Sequence, residues 1–92
     1  MTVVEEGLNG LRVLVIDDEA EVRTAMAELL GGWGCRVQAA ASAHEALAQL
    51  TEPPQAIVAD YRLQRGLTGA EAISAVRAAW GSDISALIVT GD

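Results

Sequence analysis

Three aspartates and a threonine stand where apolar runs end: Asp17 and Asp18 follow residues 11–16 (LRVLVI), Asp60 follows residues 56–59 (AIVA), and Thr90 follows Ser85–Val89 (SALIV). Carboxylates that converge from two such runs repel. Like charges about 4 Å apart cost roughly 4 kcal/mol per pair at an effective dielectric near 20. A helix starting at Glu19 offsets only about 0.3–1 kcal/mol of that through its dipole. A hard divalent cation resolves the conflict, and an all-oxygen site with no histidine or cysteine beside it suits Mg2+ that keeps several waters. With that cation and a hydroxyl donor neutralising the transferring oxygens, a carboxylate can act as nucleophile toward a phosphoryl group. The product would be an aspartyl phosphate.

The elements that position these groups can be read from periodicity. Residues 11–16 form a short, β-branched, nearly continuous apolar run, the pattern of a strand buried on both faces. From Glu19 to Leu30 the period becomes helical, with Val22, Met26, Leu29 and Leu30 recurring among Glu21, Arg23 and Glu28, and the Gly31-Gly32 pair is expected to stop the helix. Arg36 to Ala40 reads as a second strand. Ser42 with Glu45 three positions on predicts a capping box opening a helix to Leu50, which Pro53 and Pro54 end. Residues 56–59 predict a third strand, residues 61–68 a polar loop, residues 69–80 an alanine-rich helix with Ile73 and Val76 inward, and Ser85–Val89 a fourth strand. The order β-α-β-α-β-α-β implies a parallel sheet with helices on both faces. In such doubly wound sheets a ligand sits beyond the carboxyl ends of the strands, where strand order reverses. If the first and third strands are neighbours, as in the flavodoxin-like order, Asp17, Asp18 and Asp60 meet there.

Composition sets the bounds. The chain has 92 residues, 51% hydrophobic and 21% charged, which suits one small domain and argues against disorder. Its net charge of -7 disfavours direct nucleic-acid binding, which depends on clustered Lys and Arg. All 6 basic residues are arginines, at positions 12, 23, 36, 62, 65 and 77, and there is no lysine. The lone Cys35 can close no intramolecular disulfide, and no stretch approaches the roughly 20 apolar residues of a membrane helix. Glu5 and Glu6 stand where a secretory signal would be basic. The expectation is a cytoplasmic domain, residues 11–92, behind a linker of residues 1–10.

Four stretches together carry a family resemblance: residues 13–19 (VLVIDDE), Ala59-Asp60-Tyr61-Arg62-Leu63, Thr68-Gly69-Ala70-Glu71-Ala72 and Ile88-Val89-Thr90-Gly91. In that order on those elements, they resemble the receiver domain of two-component response regulators. The wording around Asp60 and the lead-in to residue 13 resemble most the receivers of hybrid sensor histidine kinases. The resemblance implies that Asp60 is the phospho-acceptor, that Asp18 and Asp60 ligate Mg2+ directly, that Asp17 acts through a water, and that the backbone carbonyl of Arg62 adds a ligand. It also implies that Thr90 hydrogen-bonds the phosphoryl group and shifts inward on phosphorylation. The donor it implies is a phosphohistidine on a sensor histidine kinase or a histidine phosphotransfer domain.

The family also has a lysine at the end of a fifth strand, and this sequence departs from it there. The expectation is a doubly wound, flavodoxin-like α/β fold truncated to strand order 2-1-3-4, with the fifth strand and last two helices absent. Ala86 to Val89 then becomes an unprotected edge, which with the exposed face of the first helix predicts self-association. Two other functions compete. A pseudo-receiver would bind protein without turning over phosphate; a haloacid-dehalogenase-type phosphatase would need an aspartate where Glu19 stands, and a lysine.

The remaining conspicuous residues have plainer readings. Asp17, Asp18 and Glu19 by themselves would suit a helix cap, and only Asp60 on a second strand lifts them above it. His44 reads as a surface histidine, Cys35 as packing, Trp33 and Trp80 as covers for the core edge, and Arg62 and Arg65 as solvated or partner-facing.

Overall fold

Val13, Leu14, Val15 and Ile16 are apolar without alternation, and the fold uses both of their faces. The computed structural model describes residues 9–63 and 68–89. Along it run β1 (Arg12–Ile16), α1 (Ala20–Gly32), β2 (Arg36–Ala40), α2 (Ala43–Gln49), β3 (Ala56–Asp60), α3 (Gly69–Trp80) and β4 (Ser85–Val89). The strands form one parallel sheet in the order β2-β1-β3-β4, as the doubly wound reading expects. β1 is central, and its residues 13–16 are at most 4% exposed.

Alternate positions face opposite layers. Leu14, Ile16, Ala40, Ile57 and Ala59 meet α2 and α3 through Ala46, Ala72, Ile73 and Val76, with Leu47, Leu50 and Trp80 closing the margin. Val13 and Val15 face the other way with Cys35, against Met26 and Leu30 of α1. Burying a Leu, Ile or Val side chain contributes about 1.5–3 kcal/mol, so the first cluster, with the larger share of buried residues, anchors the domain. α1 covers its face thinly: none of its residues is fully buried. Beside it lies a groove of about 260 Å3 lined by Leu11, Val13, Leu30, Trp33, Val58 and Leu87 among others. All five residues of β4 are exposed, and among the described residues that strand is the edge of the sheet.

Local signals resolve differently from expectation in three places. The Gly31-Gly32 pair does not stop α1, which includes both glycines; the chain reverses at Gly34, with φ +93°. There the Gly34 N–H donates to Gly31 O and the Cys35 N–H to Leu30 O, so the left-handed turn ends the helix. A Cβ at Gly34 would come within 2.9 Å of Asn9 Oδ1. Gly10 is tied to the same turn, its N–H donating to Gly34 O at 2.7 Å; residues 1–8 of the expected linker lie outside the described residues. The expected box at Ser42 is half made: Ser42 Oγ accepts from the Glu45 N–H, while Glu45 Oε1 accepts from the Ala41 N–H, not from the N-cap itself. The complete capping box belongs to α3, between Thr68 and Glu71. Strand β1 begins at Arg12, one residue later than expected, and α1 begins at Ala20 with Glu19 as its N-cap.

Candidate functional site

The register of the sheet brings the strand-end acids together. β1 and β3 pair in parallel up to Ile16↔Ala59, and the next step of that register carries Asp17 and Asp60. Both line one cavity of about 30 Å3, with Val15, Val22, Met26, Val58 and Val89 around it. Asp17 is buried at 8% exposure, the one polar residue in the described interior. Its N–H donates to Ala40 O of β2, its Oδ1 accepts from the Glu19 N–H at 2.9 Å, and its carbonyl accepts from Arg23 Nη1 at 2.8 Å. The turn from β1 into α1 is thereby held, and carboxylate oxygens of Asp17, Asp18 and Glu19 lie within 4.8 Å of one another.

Asp60 stands beside this group. Its pKa is raised above the ordinary aspartate value, chiefly by burial and then by the charges of Asp17 and Asp18. The nearby backbone N–H groups of Tyr61 and Arg62 partly offset the rise. Tyr61 is fixed in turn, its N–H donating to Val89 O and its carbonyl accepting from the Gly69 N–H. At Gly69 the start of α3 passes so close behind the strand end that a Cβ would collide with the Asp60 carbonyl oxygen.

The donor set consists of carboxylate oxygens, with no imidazole or thiolate in the group, which fits a hard divalent cation and suits Mg2+ better than zinc or copper. Asp17, Asp18 and Asp60 are thus gathered at the carboxyl end of the central strands. Thr90 lies outside the described residues, as does Arg65. Arg62 is exposed and bridges to Thr68 across the loop, and His44 is exposed. Three residues take parts at the site that the sequence reading did not give them. Glu19 joins the acidic group from the N-cap of α1, a position that the Asp-Asp-Glu triplet itself signalled; Thr68 and Glu71 fit the four-residue pattern of a capping box and set the helix that crowds Asp60.

Comparison with known proteins follows this geometry. The family described as the response regulator receiver domain matches residues 13–92. A response regulator receiver protein from Pseudomonas putida is similar in structure, with a TM-score of 0.75 and 30% identity over 91% of this chain and 69% of that one. Chemotaxis response regulator CheY4 of Vibrio cholerae gives a TM-score of 0.78 and 28% identity, covering 91% of this chain and 71% of the other. The receiver domain of the PhyR response regulator of Erythrobacter litoralis, at 24% identity and a TM-score of 0.77, supports the fold alone, with 91% of this chain and 65% of that one covered. The chain thus spans roughly two thirds of the length of these solved structures. No curated protein sequence matches it. With the strand order, the strand-end acids and the family match over residues 13–92 in agreement, the chain belongs to the response regulator receiver domain family.

Proposed function

We propose that this chain is a phospho-accepting receiver, in which Asp60 takes a phosphoryl group from a phosphohistidine of a sensor histidine kinase or histidine phosphotransfer domain. The observation that carries this reading is the juxtaposition of Asp60 with Asp17 and Asp18 at the ends of neighbouring parallel strands. A carboxylate oxygen of Asp60 attacks phosphorus, the P–N bond to the donor imidazole breaks, and the ring nitrogen keeps the bonding pair and takes up a proton. Hydrogen bonds of Tyr61, its N–H to Val89 O and its carbonyl from the Gly69 N–H, fix the strand end that carries the Asp60 carboxylate for that attack. Asp17, Asp18, Asp60 and the Arg62 carbonyl would hold Mg2+, with Glu19 close by, and the cation supplies positive charge against the transferring oxygens. Thr90 would donate its hydroxyl hydrogen bond to the phosphoryl group.

The expected experiment is incubation with acetyl phosphate or a phosphohistidine donor and Mg2+, followed by intact-mass measurement. Wild type should gain one phosphoryl group and Asp60→Asn none. Labelling by the small donor should be slow, because the chain has no lysine to meet the phosphoryl oxygens. The second reading is a protein-binding pseudo-receiver. No mass gain from either donor, with the fold intact, would decide for it.

The kinase or phosphotransfer partner implies a cytoplasmic location. No helix among the described residues is long and apolar enough to cross a membrane. Membership of a hybrid kinase is supported by the Asp60-Tyr61-Arg62-Leu63 wording. A second copy of the chain is a further partner, through the exposed β4 edge and the adjoining α1 face, where Leu87 is 61% exposed.

A further inference from the structure

Arg23 is a cation at the unfavourable end of α1. It sits one turn beyond the N-cap, its N–H donating to Glu19 O, in the region where the helix dipole opposes positive charge. Helical side chains lean back toward the N-terminus, and Arg23 does so far enough for Nη1 to donate to the backbone carbonyl of Asp17 at 2.8 Å. Its charge is therefore directed at a carbonyl. Among the described residues the one arginine–carboxylate contact within 4.0 Å is Arg12 with Glu52, at 3.1 Å, at the opposite end of the sheet. So Arg23 grips the acidic turn by its backbone while Asp17, Asp18 and Glu19 keep their carboxylates clear of it and within 4.8 Å of one another.

We propose that Arg23 is a positioning residue for divalent-cation binding: its hydrogen bond to the Asp17 carbonyl holds the turn in the shape that makes the carboxylates converge. This rests on the Mg2+ site of the proposed function. Charge and positioning pull in opposite directions here. Removing a positive charge near a cation site should tighten Mg2+ binding through Coulomb's law. Removing an orienting hydrogen bond should weaken it, since partners that orient ligand groups are worth about tenfold or more in metal affinity. The sign of the change is therefore diagnostic.

The test is Mg2+ titration of the full chain followed by backbone amide shifts, for wild type, Arg23→Gln, Arg23→Lys and Asp18→Asn, with thermal melts of each. The expected result is a dissociation constant about tenfold higher in Arg23→Gln, a smaller rise in Arg23→Lys, which keeps the charge but loses the planar fork, and faster amide exchange at Glu19 in both. A merely structural role would lower melting temperature and leave the Mg2+ constant unchanged. An unchanged or tighter constant in Arg23→Gln overturns the proposal while the Mg2+ reading stands, provided wild type binds and Asp18→Asn does not. If wild type shows no Asp18-dependent response, the Mg2+ reading falls and this proposal falls with it. Should Arg23→Gln fail to fold, Arg23→Lys decides by the same criterion.

Discussion

A carboxylate partly buried at the end of a strand and near two others opposes folding while it is charged, and Asp60 is in that position. Because its pKa is raised in the folded state, folding binds its proton more tightly than the unfolded chain does. The stabilising share of that linkage is complete below the unfolded pKa and is lost as pH rises through the folded one. In the absence of divalent cations, Asp60→Asn should therefore match wild type in stability near pH 3 and exceed it toward neutral pH. Denaturant melts of both proteins across that range check it, and Mg2+ should narrow the difference. Asp17, Asp18 and Asp60 were legible in the sequence because the end of an apolar run marks the end of a strand. The hydrogen bonds that hold the turn were not, since they depend on how it folds back: on the Glu19 N–H reaching Asp17 Oδ1 and on the Arg23 guanidinium reaching back from the end of the first helical turn.

Elements act here through their ends. The start of α3 is fixed by the reciprocal hydrogen bonds of Thr68 and Glu71 and by a glycine that leaves room for the Asp60 carbonyl. Gly69→Ala is expected to destabilise by about 1–3 kcal/mol as an overpacking change, and to slow phosphorylation by displacing the strand end. Thr68→Ala, losing a cap, is expected to cost about 1 kcal/mol and to shift the site less. Equilibrium unfolding and the rate of mass gain separate the two. At the far side of the sheet, β4 shows apolar side chains on both faces, with Leu87, Ile88 and Val89 all substantially exposed. Wild type should self-associate at high concentration, and Leu87→Lys should reduce it by charging the edge. A monomeric sedimentation profile for wild type would rule the edge out. Strand order was legible through the family resemblance that the aspartates after the apolar runs of β1 and β3 help to carry, whereas the end of α1 was not. A glycine pair predicts a stop by composition, but the stop occurs at Gly34, where the chain needs a positive φ and Asn9 leaves no room for a Cβ.

For the molecule as a whole, Mg2+ at the proposed site would act as a ligand of the native state. At concentrations near 100 times its dissociation constant it should stabilise the fold by about 2.7 kcal/mol, while NaCl at matched ionic strength should give far less. A thermal shift in MgCl2 that Asp18→Asn abolishes is the expected outcome. The net charge of -7 and the family architecture were both legible from the sequence, but how charge is distributed over the molecule was not. Every strand of the sheet points the same way. Arg12 and Arg36 lie side by side at the strands' beginning, where Glu52 pairs with Arg12, and Arg77 caps Ile84 O just before β4; Asp17, Asp18, Glu19 and Asp60 gather at the strands' ends with Glu45 and Glu71 at the helix starts, where Arg23 and Arg62 offset only part of their charge. A parallel sheet built this way is an electric vector. It turns the acidic pole toward any approaching surface of positive potential before contact is made, so the rate at which a basic donor face meets the domain should fall steeply as salt is added.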